Sequence, residues 1–348
     1  IDETIAYGET REVTFTITPS ITSGTPSNRT LSVTIDHLTE GKDVYMSDNT
    51  LSTPFEVIEH DFTRNVLVEE FTTEKCINCP RVAGYLHKAL QDERVAGRAI
   101  ALCHHAGYYT DWLTIPSDEE YLWFFGSEGP SAPAMMFDRV AMDGESTVCL
   151  PNSADEIVLR IQDRMSQTAY VSINLNAEVD AEDHSLLHVT VKGDRLKEGF
   201  TKHDPRISVV LYEDNINARA QEGGGTDFVH QHVSRCVNST WGDVIEWNGD
   251  SYSYTCDLPL RDDYVKENLG VVAYVWDYDT EDPTLCEVAN AASIAWDKVA
   301  NDIDAPMANE TSLARYYTLD GREVSESARV PGIYLVKKGN KVNKVVIK

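Results

Sequence analysis

The sequence predicts a multidomain protein of mixed class, α/β plus all-β, with one central α/β unit between β-rich segments and a small β tail. Its 348 residues exceed what one ordinary hydrophobic core organises. Short apolar/polar alternations fill both ends of the chain, as half-buried strands do. Between them, continuous apolar strands take turns with helical periodicity, the pattern of a parallel sheet covered by helices.

Residues 1–62 read as a small β domain, in which Glu12–Thr18 and Leu31–Ile35 alternate between Ser/Thr/Pro/Gly stretches. Residues 63–168 form the α/β unit. Asn65–Phe71 is a strand with a continuous apolar start. A helix is expected from Pro80 to about Val95, with Val82, Leu86 and Leu90 on one face, Pro80 in its first turn and Gly97 as its stop. Arg98–His104 is a second buried strand, Asp118–Phe125 a short helix, Ala134–Val140 a third strand and Ala154–Met165 an amphipathic helix. A further strand would complete the order, yet 141–150 shows no clear period. Residues 169–305 return to β, with Tyr170–Val179, Leu186–Val191, Ile207–Tyr212, Phe228–Val237, Ser251–Leu258 and Leu269–Trp276 spaced as in an Ig-like β-sandwich. Residues 306–348 make a small unit: a strand at Leu313–Leu319, the Asp320-Gly321 turn, and a hairpin of Gly332–Lys337 with Lys341–Lys348 around Gly339-Asn340.

Acidic residues number 57 against 30 basic ones, a formal net charge of −27. That balance speaks against nucleic acid or anionic headgroups as partners, because phosphate binding needs a basic patch. No apolar run approaches the roughly 20 residues that span a bilayer. The chain opens at Ile1 without a charged-then-apolar leader, so a processed or truncated start is expected, with room for a lipid tether on residues outside it.

Seven cysteines are present, and only Cys76 and Cys79 stand at a motif spacing. The odd number leaves at least one thiol unpaired within the chain. A thiol at a helix start faces the positive end of the helix dipole and free N–H groups, which favour thiolate. Lys75 favours it further, while Glu69, Glu70 and Glu74 oppose it. Strand, CxxC and helix in succession point to a redox pair; a permanently closed disulfide is the alternative.

The stretch Val66-Leu67-Val68-Glu69-Glu70-Phe71-Thr72-Thr73-Glu74-Lys75-Cys76-Ile77-Asn78-Cys79-Pro80 resembles the active-site segment of thioredoxin-fold proteins. More closely it resembles the twenty-eight-kilodalton outer-membrane protein family of Bacteroidetes, with its Glu-x-(Thr/Tyr)-Thr-x-x-Cys-x-x-Cys-Pro signature. His105-Ala106-Gly107, Gly129–Arg139 and His230-Gln231-His232-Val233-Ser234-Arg235 carry the resemblance onward, over about 63–300. It implies a thioredoxin-like domain at 63–168. Cys76 would be the exposed nucleophile, Cys79 the resolving thiol, Glu70 the buried acid that moves the resolving thiol's proton, and Pro133 a cis-proline beside the disulfide. Lys75, Ile77, Asn78 and Ala132 would meet the substrate. The chain departs from thioredoxins in having Lys75 where tryptophan is usual, and Ile77-Asn78 inside the pair in place of Gly-Pro.

Cys103-His104-His105 closes the second strand at the edge where Cys76 sits, and a histidine that caps the strand is favoured over a metal ligand. His230 and His232 would project to one face of their strand. Cys236 and Cys256 are candidates for a structural disulfide. The tail, with Asp320-Gly321-Arg322, Gly332-Ile333-Tyr334-Leu335-Val336 and a basic terminal strand, resembles the C-terminal sorting domain of the type IX (Por) secretion system, which implies export to the outer membrane or cell surface.

These readings converge on an extracytoplasmic thiol–disulfide oxidoreductase or isomerase with exported protein or peptide thiols and disulfides as partners, and no metal or cofactor. A non-catalytic surface-binding protein on the same scaffold is the second reading.

Overall fold

The computed structural model describes residues 27–35, 49–57, 62–126, 131–141, 146–196 and 199–299. It also describes the strands 315–317, 323–324, 332–338 and 341–347, and isolated positions 9, 10, 14, 45, 47 and 129. The chain divides into two compact units, 1–61 and 62–348. Among the described residues it is mostly β, with few helices and several sheets.

In the first unit, β1 (Ser27–Thr34) and β2 (Thr50–Val57) form an antiparallel pair in the register Ser27↔Val57 to Thr34↔Thr50. The strand expected at Glu12–Thr18 lies, apart from Thr14, outside the described residues.

The second unit begins with β3 (Val66–Thr72), α1 (Cys79–Leu90), β4 (Ala99–His105), α2 (Pro116–Phe125), β5 (Ala134–Phe137) and α3 (Ala154–Met165). β3 and β4 pair in parallel, and β5 returns antiparallel on the other side of β3. α1 buries Cys79, Val82, Leu86 and Ala89, the stripe its periodicity demands. It stops at Leu90, earlier than Val95, because the chain then turns through Asp92 and reaches Gly97 at φ +74°. α3 opens on Ser153, whose hydroxyl accepts from the Glu156 N–H. Strand β5 is shorter than expected: Asp138 and Arg139 take φ +50° and +56°, which turns both side chains into buried ion pairs. Among the described residues of 141–150, the bridge Met135↔Cys149 stands where the further strand is expected.

Ten strands follow: β6 (Asn174–Val179), β7 (Leu186–Asp194), β8 (Pro205–Glu213), β9 (Ile216–Asn217), β10 (Val229–His230), β11 (Val233–Val237), β12 (Asp243–Val244), β13 (Trp247–Asn248), β14 (Ser251–Pro259) and β15 (Leu269–Asp277). β16 (Val288–Ala295) and the short α4 (Trp296–Val299) close the series. Phe228–Val237 is not one strand. It breaks at His232, φ +56°, where the His232 N–H donates to Asp214. His230 is buried and His232 partly exposed.

β11 joins the two halves of this unit. It pairs in parallel with β4 through Val233↔Cys103 and antiparallel with β8. One sheet therefore runs β16-β15-β8-β11-β4-β3-β5, with β12 on β8, across the boundary the sequence suggests at 168/169. Following the register from Cys103 through Val233 to Glu213 shows which elements share a side. α1, α3 and the four-stranded sheet β13-β14-β7-β6 cover one face, and α2 covers the other. On the first face Ile207, Val209, Val271 and Val275 pack against Val189, Val191 and Leu258; on the second Leu67, Leu102 and Val272 pack near Tyr121 and Phe125. β17 (Arg315–Tyr317), β18 (Glu323–Val324), β19 (Gly332–Lys338) and β20 (Lys341–Ile347) form a separate antiparallel sheet, β18-β17-β19-β20. The turns expected at Asp320-Gly321 and Gly339-Asn340 lie outside the described residues.

Candidate functional site

Cys76 and Cys79 are joined as a disulfide, with Cα atoms 5.4 Å apart. Residues 73–78 turn the chain from the end of β3 into α1, and Pro80 occupies the first helical turn, where its missing N–H leaves nothing unpaired. Cys79 is buried and Cys76 is 9% exposed. Ile77, between them, is 68% exposed, and the Lys75 ammonium lies 5.8 Å from the Tyr109 ring centre. Tyr108 and Tyr109 are exposed on the loop after β4. Ala132 and Pro133 precede β5, and their peptide is cis. A Cβ on Gly107 would sit 3.0 Å from the Ala132 Cβ and 3.1 Å from Thr73 Cγ2, so the turn after β4 packs closely on the segment before β5.

Strand alternation sends Glu69 and Glu70 to opposite faces, and their chemistry diverges. On the α2 face, Glu69 accepts two hydrogen bonds from Arg139, at 2.8 and 2.7 Å, and one from His104 at 3.2 Å. Burial would raise its carboxyl, but the Arg139 guanidinium outweighs burial and holds it at about 2. Arg139 is itself boxed by Tyr121, Phe125, Tyr274 and Trp276, with ring centres 4.4–5.0 Å away. His104 donates to Asp118 at 2.9 Å and to Glu69, and these carboxylates overcome burial to lift it to about 9. Both its ring nitrogens are thus donors, and neither is left to bind a metal.

On the α1 face, among the described residues, no arginine pairs with Glu70. Burial pushes its carboxyl up to about 7, only partly offset by the thiol of Cys103, which donates to Oε2 at 3.3 Å, and by the charge of His232. Its Oε1 is buried without a hydrogen-bond partner. Glu70, Cys103, His105 and His230 line a cavity of about 290 Å³ whose wall includes Pro80, the residue after Cys79. A carboxyl that titrates near neutrality, on the strand that leads into a helix-start cysteine pair, is suited to proton exchange.

His105 donates from Nδ1 to Asp111 at 2.8 Å, and its ring meets that of His230 edge-on at 4.7 Å. Burial and the charge of His105 hold His230 below the usual histidine range. Among the described residues, no three histidine, cysteine or carboxylate side chains converge as metal ligands. Cys236 and Cys256, open to pairing on the sequence, are free thiols here.

The sequence reading did not anticipate Glu74 as a hub. Its carboxylate accepts from Trp112 Nε1 at 3.1 Å and from the Arg219 N–H at 2.6 Å, and its N–H donates to Asp111 at 2.7 Å. Through it the hairpin β9–β10 comes to lie against the CxxC turn. The run Glu222-Gly223-Gly224-Gly225 signals a tight connection, but nothing local says what it packs on.

Residues 131–295 match the family model described as Outer membrane protein Omp28. That span runs from β5 to β16 and begins after the cysteine pair. The match puts the chain outside the cytoplasm, at the outer membrane or cell surface. No described helix is long and apolar enough to cross a membrane. Among solved structures, HBP35 of Porphyromonas gingivalis is similar at 20% identity and a TM-score of 0.61, over 83% of this chain and 100% of that one, a likeness of fold. A domain of the outer membrane lipoprotein Omp28 from Porphyromonas gingivalis aligns at 29% identity over 36% of this chain and 88% of its own, with a TM-score of 0.24. A protein of Agrobacterium tumefaciens aligns at 16% identity over 68% and 96%, with a TM-score of 0.45. No curated protein matches the chain.

Proposed function

We propose that the chain is an extracytoplasmic thiol–disulfide oxidoreductase or isomerase acting on exported proteins through a thioredoxin-like unit at 63–168. The Ig-like β-sandwich of 169–305 would support it, and the tail would serve as a sorting domain of the type IX kind. The observation that carries the reading is the conjunction at one sheet edge. A cysteine pair opens α1, and Glu70, on the strand that leads into it, titrates near 7 in a cavity that reaches Pro80.

In the reduced form, the Cys76 thiolate attacks one sulfur of a partner disulfide. A Cys76–partner bond forms, and the partner's other sulfur leaves as thiolate and takes up a proton. Glu70, as carboxylate, accepts the Cys79 proton. The Cys79 thiolate then attacks the Cys76 sulfur, the Cys76–partner bond breaks, and the partner leaves reduced by two electrons. An external dithiol reductant regenerates the Cys76/Cys79 dithiol for the next turn. Lys75, Ile77, Asn78 and Ala132 meet the partner around the cysteine pair.

Cys79→Ser is expected to accumulate mixed disulfides between Cys76 and exported proteins, read by non-reducing electrophoresis and mass spectrometry. A clean blank would sink the proposal. The low exposure of Cys76 favours the second reading, a non-catalytic surface-binding protein whose disulfide is structural. A redox titration separates the two, since structural disulfides lie below about −300 mV.

A further inference from the structure

The tip of the β9–β10 hairpin, residues 218–228, lies against the backbone that carries Cys76. The Glu222 N–H donates to Glu74 O at 2.7 Å. The Gln221 side-chain amide donates to Thr73 O at 3.2 Å and to Cys76 O at 3.0 Å. The Arg219 guanidinium stacks 4.0 Å from the centre of the Trp112 ring. At the point of closest approach is Gly223, at φ +77°; a Cβ there would stand 2.6 Å from the Ile77 carbonyl oxygen. The tip folds back on itself through the Gln221↔Gly225 bridge, with Gly225 also at positive φ.

A polypeptide laid beside Cys76 would look for the backbone carbonyls next to the reactive sulfur. Those of Thr73, Glu74 and Cys76 are already taken by the hairpin, and Ile77 O faces Gly223. Cys76 itself is left only 9% exposed, with the exposed Ile77 next to it.

We infer that the hairpin tip is a size-selective cap on Cys76, which small thiols and disulfides pass and which polypeptide partners must lift off the Thr73–Ile77 backbone before they react. Gln221 and Gly223 are then specificity-determining residues of the exchange reaction. The inference deepens the redox reading and rests on it for its biological meaning, but the cap is measurable apart from catalysis.

The test uses the full chain with Cys79→Ser, so that Cys76 is a free thiol. Its alkylation by N-ethylmaleimide and by a polyethylene-glycol maleimide is followed by mass spectrometry of the Cys76 peptide, against the same peptide free in solution. The protein should favour the small reagent at least about tenfold more than the free peptide does, because access limits the larger one. Gln221→Ala should reduce that preference, and Gly223→Val should bring it close to the free-peptide ratio while the small reagent's rate changes little. A preference equal to the free peptide's, or one untouched by both substitutions in folded protein, overturns the cap. A capped thiol that traps no exported protein would sink the redox reading alone; an uncapped thiol that traps them would sink the cap alone.

Discussion

Replacing Glu70 by Gln removes one ionisable group while keeping an acceptor for the Cys103 thiol. In the fold Glu70 holds its proton up to about 7, against an ordinary value of 4.5. The unfolded chain therefore releases this proton first as pH rises. Stability from the protonated carboxyl is complete below about 4.5 and is lost as pH climbs through about 7. The gap corresponds to about 3 kcal/mol, because each pH unit of displacement is worth about 1.4 kcal/mol. Urea denaturation of both proteins, disulfide intact, measures it. Between about pH 4.5 and pH 8 the wild type should lose up to about 3 kcal/mol relative to Glu70→Gln. Groups common to both proteins and not in contact with Glu70, such as His104, cancel in the difference. A difference flat with pH to within about 0.5 kcal/mol would refute the reasoning, since it would mean that the cavity lets Glu70 ionise as it does in water.

Arg139→Met should cost about 3–5 kcal/mol by stripping the buried Glu69 carboxylate of its guanidinium and leaving it the His104 ring alone, and adding Glu69→Gln should recover part of it; denaturant melts read both. His104, lifted to about 9, contributes stability that is present below about 6.5 and lost as pH rises through about 9; His104→Gln should flatten the stability slope across that window in denaturant titrations. Gly84→Ala, in the middle of α1 with open space around it, should stabilise by about 0.5–1 kcal/mol. Gly193→Ala, whose Cβ would fall 2.0 Å from the Ser172 carbonyl oxygen, should destabilise by more than about 2 kcal/mol. Thermal melts of those two variants should move in opposite directions.

What could be read from the sequence was what short-range pattern encodes. Val82 and Leu86 mark the inner stripe of α1, and the apolar run Val66-Leu67-Val68 marks β3 as a strand buried on both faces. The CxxC at the strand–helix junction was visible by spacing alone. What escaped depends on residues far along the chain. Adjacent glutamates look alike in sequence. Arg139, with Tyr274 and Trp276 behind it, and His104 hold Glu69 as an anion, while at Glu70 burial outweighs what Cys103 and His232 offer. The early end of β5 follows from Asp138 meeting Arg64 and Arg164, a partnership spread over three segments. His232 breaks its strand because Asp214 claims its N–H. The docking of Gln221 on Cys76 spans 145 positions and leaves no periodic trace.

The placement of β11 between β4 and β8 bears on how this molecule can be cut or recombined. A fragment ending near residue 168 would leave β4 with an open edge where the Cys103 N–H now donates to the His232 carbonyl, an invitation to pair with other chains. It would also remove Tyr274 and Trp276 from around Arg139 and the hairpin from around Cys76. Recombinant fragments and chimaeras that aim to keep the disulfide site intact should therefore carry 62–299 as one inheritable block, with their junctions outside it.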